Sequence, residues 1–567
     1  MSTLWGSKKT DNGTNPEESH QNGDSSSNNP DVLVVRNSDD RMRPEPTERD
    51  RLLPDTRHRP HGDGYLDPDD PAVSPYNLWT VRFLRYLSIL FLAISFLWWV
   101  LLLVSIFVSP PGLNTRGSGF FDFAFTCLTL GILLNTLMFF SGPSLAMRIT
   151  QGVLALILLI DVIIIVSVAR LRAEESAPGV ASAVWTTLMA TFCIITDRTV
   201  AWGKKEEEER LTGRPETKRT LMEWLAVLAS TVINVVFILI TILMTCTLVI
   251  RSLDAGLEMD GERYAVDSHK YKVHFSCYGN ATTDSSGHRT PTVLLESAED
   301  PVEYDFEHWA YNAVKNGTID RYCYWDRPGY AWSDNAPSPH SAGMAADNLA
   351  EVLAITGEEG PWILVSAGYG SIVSRIFSAR KPRDIAGIMM IDPLHEDLLY
   401  RMASPTRGFL LWGYGIISPL GIRRIIGSLF GGQTKEDRVY GKNNQQSGKR
   451  LKAMLQENLV ANSFTRADIN TARTIQAEDT PLVVVSSGYH VSKDEEWANK
   501  QRDLTKITGK LISWDVVKKA PHYVWRTMEG RDTMEKRLGE LVADHKKSKG
   551  GKGKKGKKEK SVVEAEL

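Results

Sequence analysis

Hydrophobic and polar positions divide this chain into distinct regimes. Up to about residue 77, Ser, Asn, Asp, Pro and Arg dominate and no apolar run is long enough to build a core, so residues 1–77 are expected to form a disordered tail. Long apolar blocks follow near 87–109, 119–141, 150–169, 179–200 and 221–250. Blocks of roughly 18 or more apolar residues suit the crossing of about 30 Å of hydrocarbon, which predicts five transmembrane helices within 78–252. The fourth is diluted by Thr, Ser and the Asp197-Arg198 pair; a buried or interfacial segment is its other reading.

From about 262 to 545, short β-rich runs alternate with helical stretches, which implies a parallel sheet flanked by helices. The runs are Tyr271–Ser276, Thr292–Glu296, Arg321–Trp325, Trp362–Val365, Ile385–Ile391, Leu482–Ser486 and Lys510–Trp514. An insert at about 400–470 separates the fifth from the sixth and contains Phe409 to Gly432, an aromatic and aliphatic stretch with Arg423 and Arg424. It reads either as a cap over a pocket or as an amphipathic segment resting on the membrane surface. Past His545 come nine lysines between Lys546 and Lys560, mixed with Gly and Ser, and residues 546–567 are expected to be a second disordered tail.

The net charge of -2 says little, because the lysines are concentrated at one end. Local charge says more. Lys204, Lys205, Arg210, Arg214, Lys218 and Arg219 follow the fourth span, and Arg82 and Arg85 precede the first. Five spans put both groups, and the N-terminal tail, on the cytosolic side and the C-terminal domain on the exoplasmic or lumenal side. Arg170 and Arg172 fall on the disfavoured side, accompanied by Glu174 and Glu175. The tail lacks the apolar region of a signal peptide and is too acidic for a transit peptide, so the first span is expected to direct targeting.

Two features of the C-terminal half suit an oxidising, glycosylating compartment. Asn280-Ala-Thr282 and Asn316-Gly-Thr318 are glycosylation sequons, whereas Asn12-Gly-Thr14 in the tail reads as a chance match. Cys277 and Cys323 are the only cysteines of that half; they suit a disulfide, with two buried thiols as the alternative. Asp161 stands within an apolar span, where an ionised carboxylate costs about 2.5–3.5 kcal/mol. It should face other helices, either as packing glue or on an ion pathway. Neither a Gly-rich phosphate loop nor Cys/His metal spacing is present, so no cofactor, metal or nucleic-acid partner is expected, and membrane lipid is.

The stretch Trp362-Ile-Leu-Val-Ser-Ala-Gly-Tyr-Gly-Ser-Ile-Val-Ser-Arg375 has the strand, turn and helix of a G-x-S-x-G nucleophile elbow. With Gly370 as the motif's last glycine, Gly368 stands where the serine belongs. Around it lie His274-Phe-Ser-Cys-Tyr-Gly279, Pro291-Thr-Val-Leu-Leu-Glu296, Tyr324-Trp-Asp-Arg-Pro-Gly-Tyr-Ala-Trp-Ser-Asp334, Ile391-Asp-Pro-Leu-His-Glu-Asp397 and Ala520-Pro-His-Tyr523. In this order the segments resemble the α/β-hydrolase superfamily over roughly residues 270–540.

The resemblance implies a doubly wound, mostly parallel sheet with a helical cap insert. It implies His522 as the base, Asp392 as its acid with Asp494 as the alternative, and Ser297, Ala298 and Tyr369 at oxyanion positions. Where relatives place glycines, however, this chain has Glu296-Ser-Ala-Glu-Asp300. Shifting the register would make Ser366 the nucleophile, and Ser371 lies a turn further on. The expectation is a membrane-bound pseudoenzyme in which Gly368 keeps the turn and opens space above it for a small apolar ligand or a protein partner. An active ester or lipid hydrolase using Ser366, His522 and Asp392 or Asp494, and a transporter-like role centred on Asp161, are the rival readings.

Overall fold

A computed structural model describes residues 75–113, 115–213, 219–283 and 287–563. The tail expected over residues 1–77 therefore lies almost wholly outside the described residues, as does the sequon at Asn12. Five helices are long and apolar enough to cross a membrane: α1 (Trp79–Phe107), α2 (Phe120–Met138), α3 (Leu145–Ser167), α4 (Ala169–Thr212) and α5 (Leu221–Asp254). The diluted fourth block lies within the longest of them. Ser176, at φ 56°, and Pro178 interrupt α4 near its start, since proline cannot donate to the preceding turn.

Polar side chains tie the helices together. Thr129 of α2 meets Thr186 of α4 at 2.9 Å, and the Asn135 amide donates to Asn234 of α5 at 2.9 Å. Such bonds substitute for the missing hydrophobic drive between helices in an apolar solvent. Asp161 is fully buried in α3.

The second half is built on one sheet: β1 (Glu262–Val266), β2 (Tyr271–Gly279), β3 (Thr292–Glu296), β4 (Arg321–Trp325), β5 (Trp362–Ala367), β6 (Ile385–Ile391), β7 (Pro481–Ser487) and β8 (Lys510–Val517). Their order is β1-β2-β4-β3-β5-β6-β7-β8. β2 pairs antiparallel with both neighbours, and the remaining pairs are parallel. This is the strand order of an α/β-hydrolase fold. Strand β1 is an addition to the runs expected from sequence, because a half-exposed edge strand carries little apolar signal.

Helices α6 (Glu307–Lys315), α7 (Ala342–Thr356) and α8 (Gly370–Arg380) connect the first strands. Both faces of the sheet are covered. Leu294 and Leu364 pack in one core with Ile372 of α8, while Val293, Leu295, Ile363 and Val365 pack in the other. That alternation explains the continuous apolar runs, since a doubly covered strand has no wet face. Cys277 and Cys323 face each other across β2 and β4 and form a disulfide.

Between β6 and β7 the insert supplies α9 (Leu399–Met402), α10 (Pro405–Ile417), α11 (Ile422–Phe430), α12 (Lys435–Val439), α13 (Gly448–Val460) and α14 (Arg466–Ile475). Helices α15 (Gly488–Lys493) and α16 (Glu495–Leu504) precede β8, and α17 (Met528–Val563) closes the chain. The lysine-rich segment expected as a disordered tail is carried as an extension of α17 as far as Val563. Lysine is a good helix former, and extending a formed helix requires no new nucleus.

The domain is joined to the helices by a polar and apolar seam. Glu174 of α4 accepts from Arg251 of α5 at 2.8 Å and lies 3.4 Å from Lys449 of α13. Asp254, at the end of α5, pairs with Arg438 of α12 at 2.6 Å. Beside these charges Leu102, Ile106, Phe120 and Phe123 of the helices form one buried cluster with Leu411, Leu451 and Leu455 of the insert. Arg170 and Arg172 are accounted for here: Arg170 pairs with Glu174 and lies over the Trp332 ring, and Arg172 donates to the Val166 carbonyl. Removing one partner of a buried ion pair strands the other, so Glu174→Gln is expected to cost about 3 kcal/mol or more. Thermal unfolding of the detergent-solubilised full chain checks this against Glu258→Gln, a substitution of a residue that forms no ion pair at the seam.

Candidate active site

The turn after β5 has the geometry of an elbow. Residue 368 lies directly between the strand and α8 with φ +48°, a conformation glycine adopts without strain. Its N–H donates to the Ile391 carbonyl at 3.2 Å, and its own carbonyl accepts from Leu394 N–H at 3.0 Å. A Cβ built on Gly368 would lie 3.0 Å from His522 Nε2 and 2.7 Å from the Ala298 methyl. The histidine thus points at the position where a side chain at 368 would begin, and the Ala298 methyl of the loop after β3 crowds that position.

Neither alternative serine is placed to replace it. Ser366 sits within β5 between Glu296 of β3 and Met390 of β6, fully buried, with an Oγ that makes no hydrogen bond. Ser371 donates its hydroxyl to the Gly368 carbonyl at 2.6 Å. Neither is hydrogen-bonded to a histidine among the described residues.

Asp392 follows β6 at φ +39° and is fully buried. Its Oδ2 accepts from His522 Nδ1 at 2.6 Å and from His490 Nδ1 at 2.9 Å. Its Oδ1 accepts from Ser487 N–H at 3.1 Å and Trp497 Nε1 at 3.0 Å. Asp494 does not reach this site. It caps α16 through Trp497 N–H and pairs with Arg401 at 2.6 Å on the surface. Burial alone would raise the Asp392 carboxyl, but the bonds from His490 and His522 outweigh it and hold the group below its usual range. For His522, burial alone would favour the neutral ring. The Asp392 bond and charge, with Glu299 and Asp300 nearby, hold it above the ordinary histidine value.

Arg327 organises the acidic loop. Its guanidinium donates to Glu296 at 2.7 Å and to the carbonyls of Ser297 and Ala298 at 2.7 and 2.6 Å. Asp300 pairs with Arg450 of α13 at 2.9 Å, and Glu299 lies 3.8 Å from Arg407. The loop carboxylates are therefore directed to cations. Tyr369, at the other oxyanion position, is buried with its ring beneath Arg327.

His490, which follows β7 in Ser487-Gly-Tyr-His490, lies outside every motif quoted from the sequence, while Arg327 lies inside the Tyr324–Asp334 string, which gives no hint of its role. Asp392, His490 and His522 place donor atoms within 4.8 Å of one another. Both carboxylate oxygens are already occupied by N–H donors, so a metal would have to displace those bonds. The arrangement is a histidine held by a carboxylate and aimed at Gly368.

A histidine pKa raised by folding stabilises fully below about pH 6.5 and loses that contribution as pH rises through the folded value; a depressed carboxyl contributes above about pH 3.9 and loses it as pH falls through its folded value. The unfolding-midpoint difference between the unmodified chain and His522→Gln should therefore be greatest between about pH 4 and 6.5 and shrink toward alkaline pH. A difference independent of pH in thermal scans would contradict the His522–Asp392 coupling.

Comparison with known proteins gives relatives without an assigned activity. A family described as "Region of unknown function (DUF2417)" matches residues 48–277. An uncharacterized protein of Schizosaccharomyces pombe is 32% identical over 527 residues, covering 87% of this chain and 96% of that protein. An uncharacterized vacuolar membrane protein of Saccharomyces cerevisiae is 26% identical over 386 residues, covering 58% of this chain and 60% of its own length. Among solved structures, an α/β-hydrolase from a Medee basin deep-sea metagenome library is 13% identical at a TM-score of 0.36, covering 50% of this chain and 97% of that one. The mouse α/β-hydrolase domain-containing protein 10 is 12% identical at 0.33, covering 50% and 99%. At such scores these likenesses carry no weight of their own, and the fold rests on the strand order. The identity and near-complete coverage of the first relative place this chain, with its α/β-hydrolase fold, in one family with that Schizosaccharomyces pombe protein.

Proposed function

We propose that this chain is a five-span membrane protein whose α/β-hydrolase-like domain faces the exoplasm or lumen and binds a ligand or partner without hydrolysing it. The observation that supports the reading is the elbow itself: glycine stands at 368, and a side chain there would meet the Ala298 methyl. Loss of a serine nucleophile costs about 10⁶-fold in turnover, and His522 and Asp392 cannot replace a missing attacking atom. The crowded turn directs attention away from the degenerate pocket and toward other surfaces for binding.

The orientation has separate support. Lys204 and Arg219 lie at the end of the helices opposite the domain, where Lys204 meets Glu223 and Arg219 donates to the Pro143 carbonyl. Basic residues at that end favour its cytosolic placement. The Cys277–Cys323 disulfide and exposed Asn280 and Asn316 suit the other side. A relative described as a vacuolar membrane protein is in keeping with a route through the secretory pathway.

A fluorophosphonate probe tests inactivity. The unmodified chain is expected to remain unlabelled, whereas Gly368→Ser combined with Ala298→Gly restores both the nucleophile and its room and should become labelled. Labelling of the unmodified chain that Ser366→Ala abolishes would sink the reading. For orientation, Asn280→Gln and Asn316→Gln should each remove a glycosidase-sensitive mobility increment from the full chain. No increment at either residue would argue for the opposite sidedness.

A further inference from the structure

The seam between the helices and the domain encloses a cavity of about 670 Å³, remote from Gly368. Its walls come from the domain-side ends of α2, α4 and α5 and from the insert, chiefly α10, α11 and the segment leading into α13. Seven lining side chains are basic and two, Glu174 and Asp254, are acidic. Both acids are committed, Glu174 to Arg251, Arg170 and Lys449, and Asp254 to Arg438. Arg423, Arg424 and Lys442 line the same space without an ion pair among the described residues. Arg424 is only partly exposed, and the acid that acts on it, Asp254, is already paired with Arg438.

The rest of the wall is apolar. Phe121, Ile417, Ile422 and Leu451 line it, so a small hydrated anion would satisfy the cations but waste this surface. Next to it, α10 and α11 expose Phe409, Leu410, Ile426, Leu429 and Phe430. Together these two helices are apolar enough to count as one broken membrane segment, bent by 54°. They lie against the helix ends: there is no room for a Cβ on Gly415 beside Phe120, or on Gly421 beside Thr247. Such a face fits into a lipid interface, and the neighbouring cations can hold an anionic headgroup through charge-assisted bonds.

We propose that this cavity binds the phosphate of an anionic glycerophospholipid through Arg423, Arg424 and Lys442, with the acyl chains leaving along the apolar face of α10 and α11. Guanidinium groups suit a phosphate because their paired N–H donors match its oxygens. The site goes beyond the reading of the elbow and does not depend on it, since no residue of the His522–Asp392 pair lines the cavity. The inactive-hydrolase reading could fail and leave this site intact.

Isothermal titration of the purified full chain in detergent tests it, with dihexanoyl phosphatidic acid, dihexanoyl phosphatidylcholine and inorganic phosphate as separate ligands. Phosphatidic acid should bind and phosphatidylcholine should bind far more weakly. Arg424→Gln and Lys442→Gln should each weaken phosphatidic acid about ten-fold or more, as expected for loss of a charge-assisted bond. Because neither residue holds an ion pair, both variants should keep the unfolding midpoint of the unmodified chain, and either alone suffices as the readout. Equal affinity for the two lipids, or phosphatidic acid binding unchanged in both variants, would overturn the proposal. Inorganic phosphate binding as tightly as phosphatidic acid would overturn the lipid assignment and leave a free-phosphate site.

Discussion

A carboxylate held between membrane-length helices and a folded domain cannot be left unpaired, and Glu174 carries that constraint here. Arg251 reaches it from α5 and Lys449 from α13, so charges from three distant parts of the chain are stable only together. Each ion taken from water costs several kcal/mol unless its partners are in place. The domain is therefore a fixed continuation of the helices, with Asp254–Arg438 and the Leu102–Leu455 cluster extending the same contact. That docking also sets the role of the insert. With α10 and α11 packed on the helix ends, the insert joins the membrane face to the domain, while α13 reaches over the acidic loop through Arg450.

A second carboxylate orders the candidate site. Asp392 gathers His522, Trp497 and the Ser487–His490 turn from three segments, which fixes the ends of β6 and β7 and the loop before α17. Such a cluster is self-supporting, because a buried carboxylate with four donors rigidifies its surroundings whether or not catalysis follows. Arg327 does the same for the loop after β3, drawing Glu296, Ser297 and Ala298 into one arrangement and bringing the Ala298 methyl over Gly368.

Much of this organisation is legible along the chain, for reasons visible at particular residues. The membrane-length helices stand out because their apolar blocks exceed anything a soluble core requires, and the strands from β3 to β7 because both faces are covered. The position of Gly368 follows from the helix-forming residues after it. Asp392 and Asp494 cannot be ranked from sequence, since each follows a strand and only the folded loops show which one meets His522. The crowding at the elbow is equally hidden: it depends on the distance between residues 298 and 368, which no local pattern encodes.

Local chemistry by itself determined the five apolar helices, the strand succession, the glycine at 368 in the elbow and the pairing partners available to Cys277, because each depends on residue type and short-range spacing. Only the tertiary structure decided that Ala298 crowds the position above Gly368, that Asp392 serves two histidines, and that arginines of the insert with no ion pair among the described residues converge on a cavity at the seam. Those outcomes depend on which remote segments share a volume, and burial, exclusion and charge balance act on that shared volume.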